Sequence, residues 1–137
     1  MELSLPEFIA MMQEQRNPNR SGYSDRHYWV QRGQYFAKSN SEFPKPFVLI
    51  PAFPLQRLAL NPAATIVSEL VKEYSSRKSA FPPIFAILPY PGLEISSGSL
   101  LVDNGAHRVS AARQRGDSEI TIITDQKSWA AVKSKCL

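Results

Sequence analysis

Leu100-Leu101-Val102-Asp103-Asn104-Gly105-Ala106-His107-Arg108-Val109-Ser110-Ala111-Ala112-Arg113-Gln114-Arg115-Gly116 reads as a strand, a tight glycine turn and a short helix stopped by a second glycine. A helix that opens this way presents unpaired backbone N–H groups and the positive end of its dipole, which together make a seat for an anion. Gly105, with no Cβ, lets the backbone come close to a bound group. Arg108 in the first turn offers a guanidinium fork to phosphate oxygens. His107 can donate a hydrogen bond or move a proton near neutral pH, and Asp103 can orient it or help hold a divalent cation. Ala111 and Ala112 let the helix lie close to a sheet. The residues alone leave a plainer reading open, with Gly105 as a turn residue and Arg108 as a surface charge.

Working outward, residues 83–88 and 120–124 read as buried strands, 89–98 as a turn or hairpin, and the chain from about Gln126 as a last helix. Phe47-Val48-Leu49-Ile50 is an apolar run of strand length. Asn61-Pro62 reads as the N-cap and first-turn proline of a helix over 62–76 that buries Ile66, Val67, Leu70, Val71 and Tyr74, and 75–80 is a polar break. At the start, Ser4 and Glu7 form a capping box, and Leu3 with Phe8 the hydrophobic staple, of a helix ending before Asn17-Pro18-Asn19. A second helix is predicted over 24–38 with Tyr28, Trp29, Tyr35 and Phe36 on one face; Gly33 within it costs about 1 kcal/mol relative to alanine. The order predicts an α+β (mixed α/β) single domain with a small mixed sheet: a helical N-terminal extension over 1–46, then the domain proper over 47–137.

The composition narrows the class. The chain has 137 residues, 43% hydrophobic and 20% charged, a size that buries roughly two-thirds of its extended surface without staples. No apolar run approaches the roughly 20 residues of a membrane-spanning helix, so no membrane partner is expected. MELSLPEF, with Glu2 and Glu7, lacks the basic start of a signal peptide. One cysteine, Cys136, excludes an intrachain disulfide and a cysteine-rich metal site, which points to the cytoplasm. Eleven prolines argue against a helical bundle. The net charge of +4 is compatible with a polyanionic partner, and both 104–116 and 126–137 carry basic residues without an acid.

Three features, in order, resemble the ParB/sulfiredoxin superfamily, the ParB-like nuclease domain. Phe81-Pro82-Pro83-Ile84-Phe85-Ala86-Ile87 is similar to its Pro-Ile-apolar strand; Asp103-Asn104-Gly105-Ala106-His107-Arg108-Val109-Ser110-Ala111-Ala112 resembles its D-G-x-H-R-x-x-A-A phosphate-binding motif, with one extra residue between Asp and Gly; and Gly116 with Glu119-Ile120-Thr121-Ile122-Ile123 resembles its closing helix stop and strand. The likeness is strongest over 81–125 and extends to about 47–125. It implies a nucleotide, ATP or CTP, with its phosphates on Asn104, Gly105, Ala106, His107 and Arg108, Mg²⁺ alongside, and His107 and Asp103 as the catalytic pair for NTP hydrolysis or DNA cleavage. Sulfiredoxins place a cysteine, and segregation-type ParB proteins a glutamate, where this chain has Ala106. The first activity is therefore rejected and efficient CTP hydrolysis questioned. The stretch after residue 125 is too short for the helix-turn-helix and dimerisation domains of a full ParB. The resemblance points to a small stand-alone ParB-like protein of a plasmid, phage or defence locus.

Beyond that motif, basic and aromatic residues interleave around His27, Tyr28 and Trp29. Arg26 and Arg32 there, with Arg113 and Arg115, are the candidate nucleic-acid contacts, and Arg16 and Arg20 lie nearby; the alternative is core aromatics beside solvated arginines. The metal ligands are not fixed by the sequence, although Glu94, Asp117 and Glu119 join Asp103 as candidate carboxylates. The rival function is a catalytically inactive binding module, an inhibitor or regulator whose residues 1–46 meet a protein or DNA partner.

Overall fold

The computed structural model describes residues 1–14, 26–76 and 81–136. The Asn17-Pro18-Asn19 stop, Arg16, Arg20, the first residues of the 24–38 helix and most of the 75–80 break lie outside them. In chain order the elements are β1 (Glu2–Leu3), α1 (Leu5–Glu14), α2 (Arg26–Ser39), β2 (Phe47–Pro54), a 3-10 turn (Leu55–Arg57) and β3 (Leu58–Ala59). They continue with α3 (Ser68–Ser75), β4 (Ile84–Ile87), β5 (Leu100–Asn104), α4 (Ala106–Arg115), β6 (Glu119–Asp125) and α5 (Gln126–Cys136). The strands make one mixed sheet in the order β1-β2-β6-β4-β5-β3, parallel at β4–β6 and β3–β5 and antiparallel elsewhere. The chain is thus of the mixed α/β class. No helix among the described residues is long and apolar enough to cross a membrane.

The period of two along each strand divides the core between the two faces of the sheet. Ile84 and Ala86 of β4, Leu100 and Val102 of β5 and Ile120 and Ile122 of β6 point to one face. There they meet Val71 of α3, Val109, Ala111 and Ala112 of α4 and Val132 of α5. Phe85, Ile87, Ile123 and Phe47 point to the other and meet Phe8, Ile9 and Met12 of α1 and Trp29 and Phe36 of α2. Every residue of β4 is buried, as a central strand covered on both faces requires. Residues 1–46 therefore supply an edge strand and the helical cover of one whole face.

That second face is built on aromatic contact. The Phe8 ring stacks on Phe47 at 4.0 Å and meets Phe85 edge-on at 5.1 Å, and Phe36 meets Phe85 edge-on at 5.1 Å. Gly33 is the point where α2 crosses α1: a Cβ there would stand 2.7 Å from Leu5 Cδ1 and 3.2 Å from a Phe8 ring carbon. The close crossing offsets the helix propensity that glycine forfeits. The capping box forms, with Ser4 N–H donating to Glu7 Oε1 at 3.0 Å and Glu7 N–H to Ser4 Oγ at 3.3 Å. The Ser4 hydrogen bonds draw the Glu7 carboxyl below its ordinary pKa.

Two local expectations change. The third helix begins at Ser68 rather than at residue 62, and Ile66 and Val67 are exposed, not buried. Asn61 Oδ1 does accept a backbone N–H, from Ala63 at 2.9 Å, but it closes a turn. The β-branched run Thr65-Ile66-Val67 resists helix, and Val67 stays extended at φ −92° and ψ 111°. On α2, Tyr28, Trp29 and Phe36 pack into or against the core while Tyr35 is 65% exposed.

Asn40, fully buried after α2, ties the layers together. Its amide donates to Phe36 O at 2.7 Å and Asp125 Oδ2 at 2.8 Å, and its Oδ1 accepts Lys127 N–H at 2.8 Å, capping α5 from another element. Truncation strands buried polar groups on β6 and α5. Asn40→Ala is expected to destabilise the fold by about 3 kcal/mol, read as a lower urea midpoint at unchanged m-value.

Candidate functional site

The turn at the end of β5 takes its shape from Gly105, which has φ 113° and ψ 23° and opens α4 with no side-chain cap on the helix. A Cβ at this position would lie 2.4 Å from Ile84 Cγ2 and 2.7 Å from Ile84 Cβ. Only glycine satisfies both the left-handed backbone and the contact with β4. Its closeness to Ile84 holds the first turn of α4 against the central strand, and Ala111 and Ala112 continue that close packing, fully buried.

The alternation of β5 sends the residues before the turn to opposite faces. Asp103 points to the α1–α2 face, where its carboxylate accepts from Arg32 Nη2 of α2 and from the Tyr90 hydroxyl at 3.3 Å. Asn104 points to the α3–α4 face, where Oδ1 accepts from Arg108 Nη2 at 2.8 Å. Arg108 is buried; its Nη1 donates to Pro82 O at 3.0 Å and Pro83 O at 2.9 Å. His107 is buried too, and its Nε2 accepts the Val67 N–H at 3.0 Å, fastening the segment before α3 to the start of α4. Asn104, Gly105, Ala106, His107 and Arg108 thus converge on one turn, with Asp103 at its entrance.

The nucleic-acid candidates are placed apart. Arg26 on α2 donates to Gln13 Oε1 at 3.3 Å, and Arg32 pairs with Asp103 while lying 5.2 Å over the Phe36 ring. On α4, Arg115 pairs with Asp117 and covers the Phe81 ring at 4.2 Å. Arg113 donates to Leu58 O at 2.6 Å and Leu55 O at 3.3 Å. The four arginines lie on both faces of the sheet and do not form one stripe. No group of three or more His, Cys, Asp or Glu among the described residues is arranged to hold a metal ion.

Sequence reasoning missed Tyr90 and Val67, which bear on the turn from two sides. Both lie in irregular chain, where no periodicity marks a partner. Burial and the neighbouring Asp103 carboxylate push the Tyr90 phenol above its ordinary pKa, against the pull of Arg32. For Arg32, burial opposes the charge, but the hydrogen bond and attraction of Asp103 outweigh it and its pKa is raised.

Two outcomes are expected. Gly105→Ala combines left-handed strain with overpacking against Ile84 and destabilises by about 2–4 kcal/mol, less in an Ile84→Ala background, as a denaturant double-mutant cycle would read. Tyr90 favours its protonated form in the folded chain, so its contribution to stability is whole below about pH 10 and is lost as pH rises through the raised value. Asp103→Asn removes a raising charge and leaves Arg32, so the Tyr90 phenolate absorbance appears at lower pH than in the wild type.

No protein-family model and no curated protein sequence matches the chain. Among solved structures it is similar to the C-terminally truncated chromosome-partitioning protein ParB from Caulobacter crescentus. The form complexed with CTP-gamma-S aligns at 22% identity and a TM-score of 0.47 over 64% of this chain and 49% of that one. The form complexed to the centromeric parS site aligns at 23% identity and a TM-score of 0.45, over 63% of this chain and 45% of that one. The chain spans about half the length of the ParB chains it matches.

Proposed function

We propose that this protein is a ParB-like nucleotide-binding protein that seats the phosphates of ATP or CTP at the Gly105–Arg108 turn. The observation that carries the reading is the start of α4: a helix of ten residues that follows a strand directly and opens on a left-handed glycine, which makes no side-chain hydrogen bond to cap it. Such an end offers backbone N–H groups and dipole potential to an anion. The resemblance of 103–112 to a phosphate-binding motif supports the same assignment. Arg108 would act from beneath the turn, fixing its shape through Pro82, Pro83 and Asn104 while lending positive charge.

Within this reading, binding has more support than turnover. A general base needs a free lone pair, whereas His107 Nε2 already accepts the Val67 N–H and the Asp103 carboxylate is shared by Arg32 and Tyr90. Among the described residues no group of three or more His, Cys, Asp or Glu is arranged to hold a metal ion, so Mg²⁺ would depend on the nucleotide's own phosphates, and no step is assigned to it. NTP hydrolysis or DNA cleavage requires His107 and Asp103 to exchange partners. The second reading, a non-catalytic binding module that meets a protein or DNA partner, draws on the same engaged side chains.

The test is equilibrium binding of ATP, CTP and GTP, with and without Mg²⁺, to the wild type and to Asn104→Asp. That substitution keeps the oxygen that accepts from Arg108, so folding survives, but adds a negative charge at the seat. Affinity is expected to fall at least tenfold, about 1.4 kcal/mol. Absence of saturable binding at millimolar nucleotide overturns the nucleotide reading, and equal binding by Asn104→Asp moves the phosphates elsewhere.

A further inference from the structure

The chain has two histidines, and they sit in opposite circumstances. His27, in the first turn of α2, is exposed, whereas His107, in the first turn of α4, is buried. The Nε2 of His107 accepts the Val67 N–H at 3.0 Å, which fixes the ring proton on Nδ1 and the imidazole in its neutral form. Val67 is the residue from which α3 springs: its carbonyl accepts from Leu70 N–H at 3.1 Å and from Val71 N–H at 3.2 Å. Before it, residues 62–67 form an exposed strap that leads back to the turn closed by Asn61. One imidazole lone pair therefore fastens the end of this strap, and with it the first turn of α3, to the start of α4.

An imidazolium carries two N–H donors and no acceptor. A proton on Nε2 points at the Val67 N–H, so the hydrogen bond gives way to two opposed donors and the Val67 amide loses its partner. The new charge also falls at the positive end of α4, next to Arg108. With the strap unfastened, both groups reach water. The open arrangement thus binds the proton more readily, and falling pH moves the population towards it. The charged groups of α3, the helix packed on α4, are Glu69, Lys72 and Glu73, and all three are exposed. Residues 60–67 and 81–83 carry no charge. On the sheet, Glu119 is exposed, and Asp103 faces the α1–α2 layer, where Arg32 holds it.

We propose that His107 and Val67 form a proton-sensitive latch: the neutral imidazole holds the strap of residues 62–67 on the start of α4, and the charged one releases the strap and the first turn of α3. The stability that the latch contributes is whole above the range in which a histidine charges and is lost as pH falls through it. The device acts whether or not a nucleotide occupies the Gly105 turn.

The experiment follows the full, nitrogen-15-labelled chain by NMR from about pH 8 to about pH 5, the span over which histidine changes charge. At the upper end a nitrogen–nitrogen coupling across the hydrogen bond is expected between Val67 N and His107 Nε2. It is lost on a single-proton curve that coincides with the titration of the His107 ring, and the amides of residues 63–70 shift on the same curve. His107→Gln keeps an acceptor, Oε1, that does not titrate. In that variant the amides of 63–70 are expected to hold their positions across the span, and the urea midpoint falls less with acid than in the wild type. In His27→Gln the latch titrates as in the wild type. Three results each overturn the proposal. They are a coupling that survives the charging of His107, a His107 ring still neutral at about pH 5, and a response of 63–70 that persists in His107→Gln, which assigns it to the Met1 amine or to Glu69 and Glu73. The coupling and the ring titration are read on the wild type, so the first two results decide the matter even where a variant folds poorly.

Discussion

The contact between Gly105 and Ile84 is the constraint on which the centre of the molecule depends. Bringing a helix end within van der Waals reach of a central strand requires a residue with no Cβ and a left-handed backbone, and both conditions fall on one position. Once the turn is held there, α4 lies on the sheet through Val109, Ala111 and Ala112, and Arg108 is buried beneath the turn. The arginine meets the two proline carbonyls that lead into β4. Burial of a guanidinium is costly unless oxygens surround it. Pro82 and Pro83 supply such oxygens at a strand entrance where the chain has no N–H of its own to anchor.

Much of this was legible. The strand, glycine turn and helix of 100–116 could be read because Gly105 and Gly116 punctuate a change from period-two to helical patterning, and the structure reproduces that order. Ser4 and Glu7 announced α1 through a side-chain pattern with a single geometric meaning. What sequence could not yield was the direction of Arg108. A guanidinium in a helix's first turn looks the same whether it faces a ligand or the chain's own carbonyls, and only the position of Pro82 and Pro83 in space decides. The start of α3 was misread for a related reason. Asn61-Pro62 is a sound cap signal, but Val67 N–H finds its acceptor on His107, forty residues away, and the helix begins only afterwards. The two-residue strands β1 and β3 are too short to carry any period.

Several polar groups in the interior tie the end of one element to a residue of another. Asn40 caps α5 and accepts responsibility for the end of β6; Ser128 Oγ accepts Leu88 N–H at 2.9 Å where β4 leaves the sheet; Arg113 closes the carbonyls of the 3-10 turn. These bonds add modest net stability each, but their loss strands a buried partner, so they specify register more than they add strength. The aromatic face of α1 and α2 provides the bulk, and the polar ties decide how the helices sit on it.

Asp103 and Asn104 explain why the turn can respond to both layers. Adjacent residues on a strand face opposite ways, so the first reaches Arg32 on α2 and the second reaches Arg108 on α4. A charge placed at the turn therefore acts on two ion-binding side chains that belong to opposite covers of the sheet. Loosening Arg32 would leave Asp103 with Tyr90 alone and free the cation stacked on Phe36, in the middle of the α2 contact. The half-buried Arg32–Asp103 ion pair thus links α2 to the turn, and the way α2 is held depends on it.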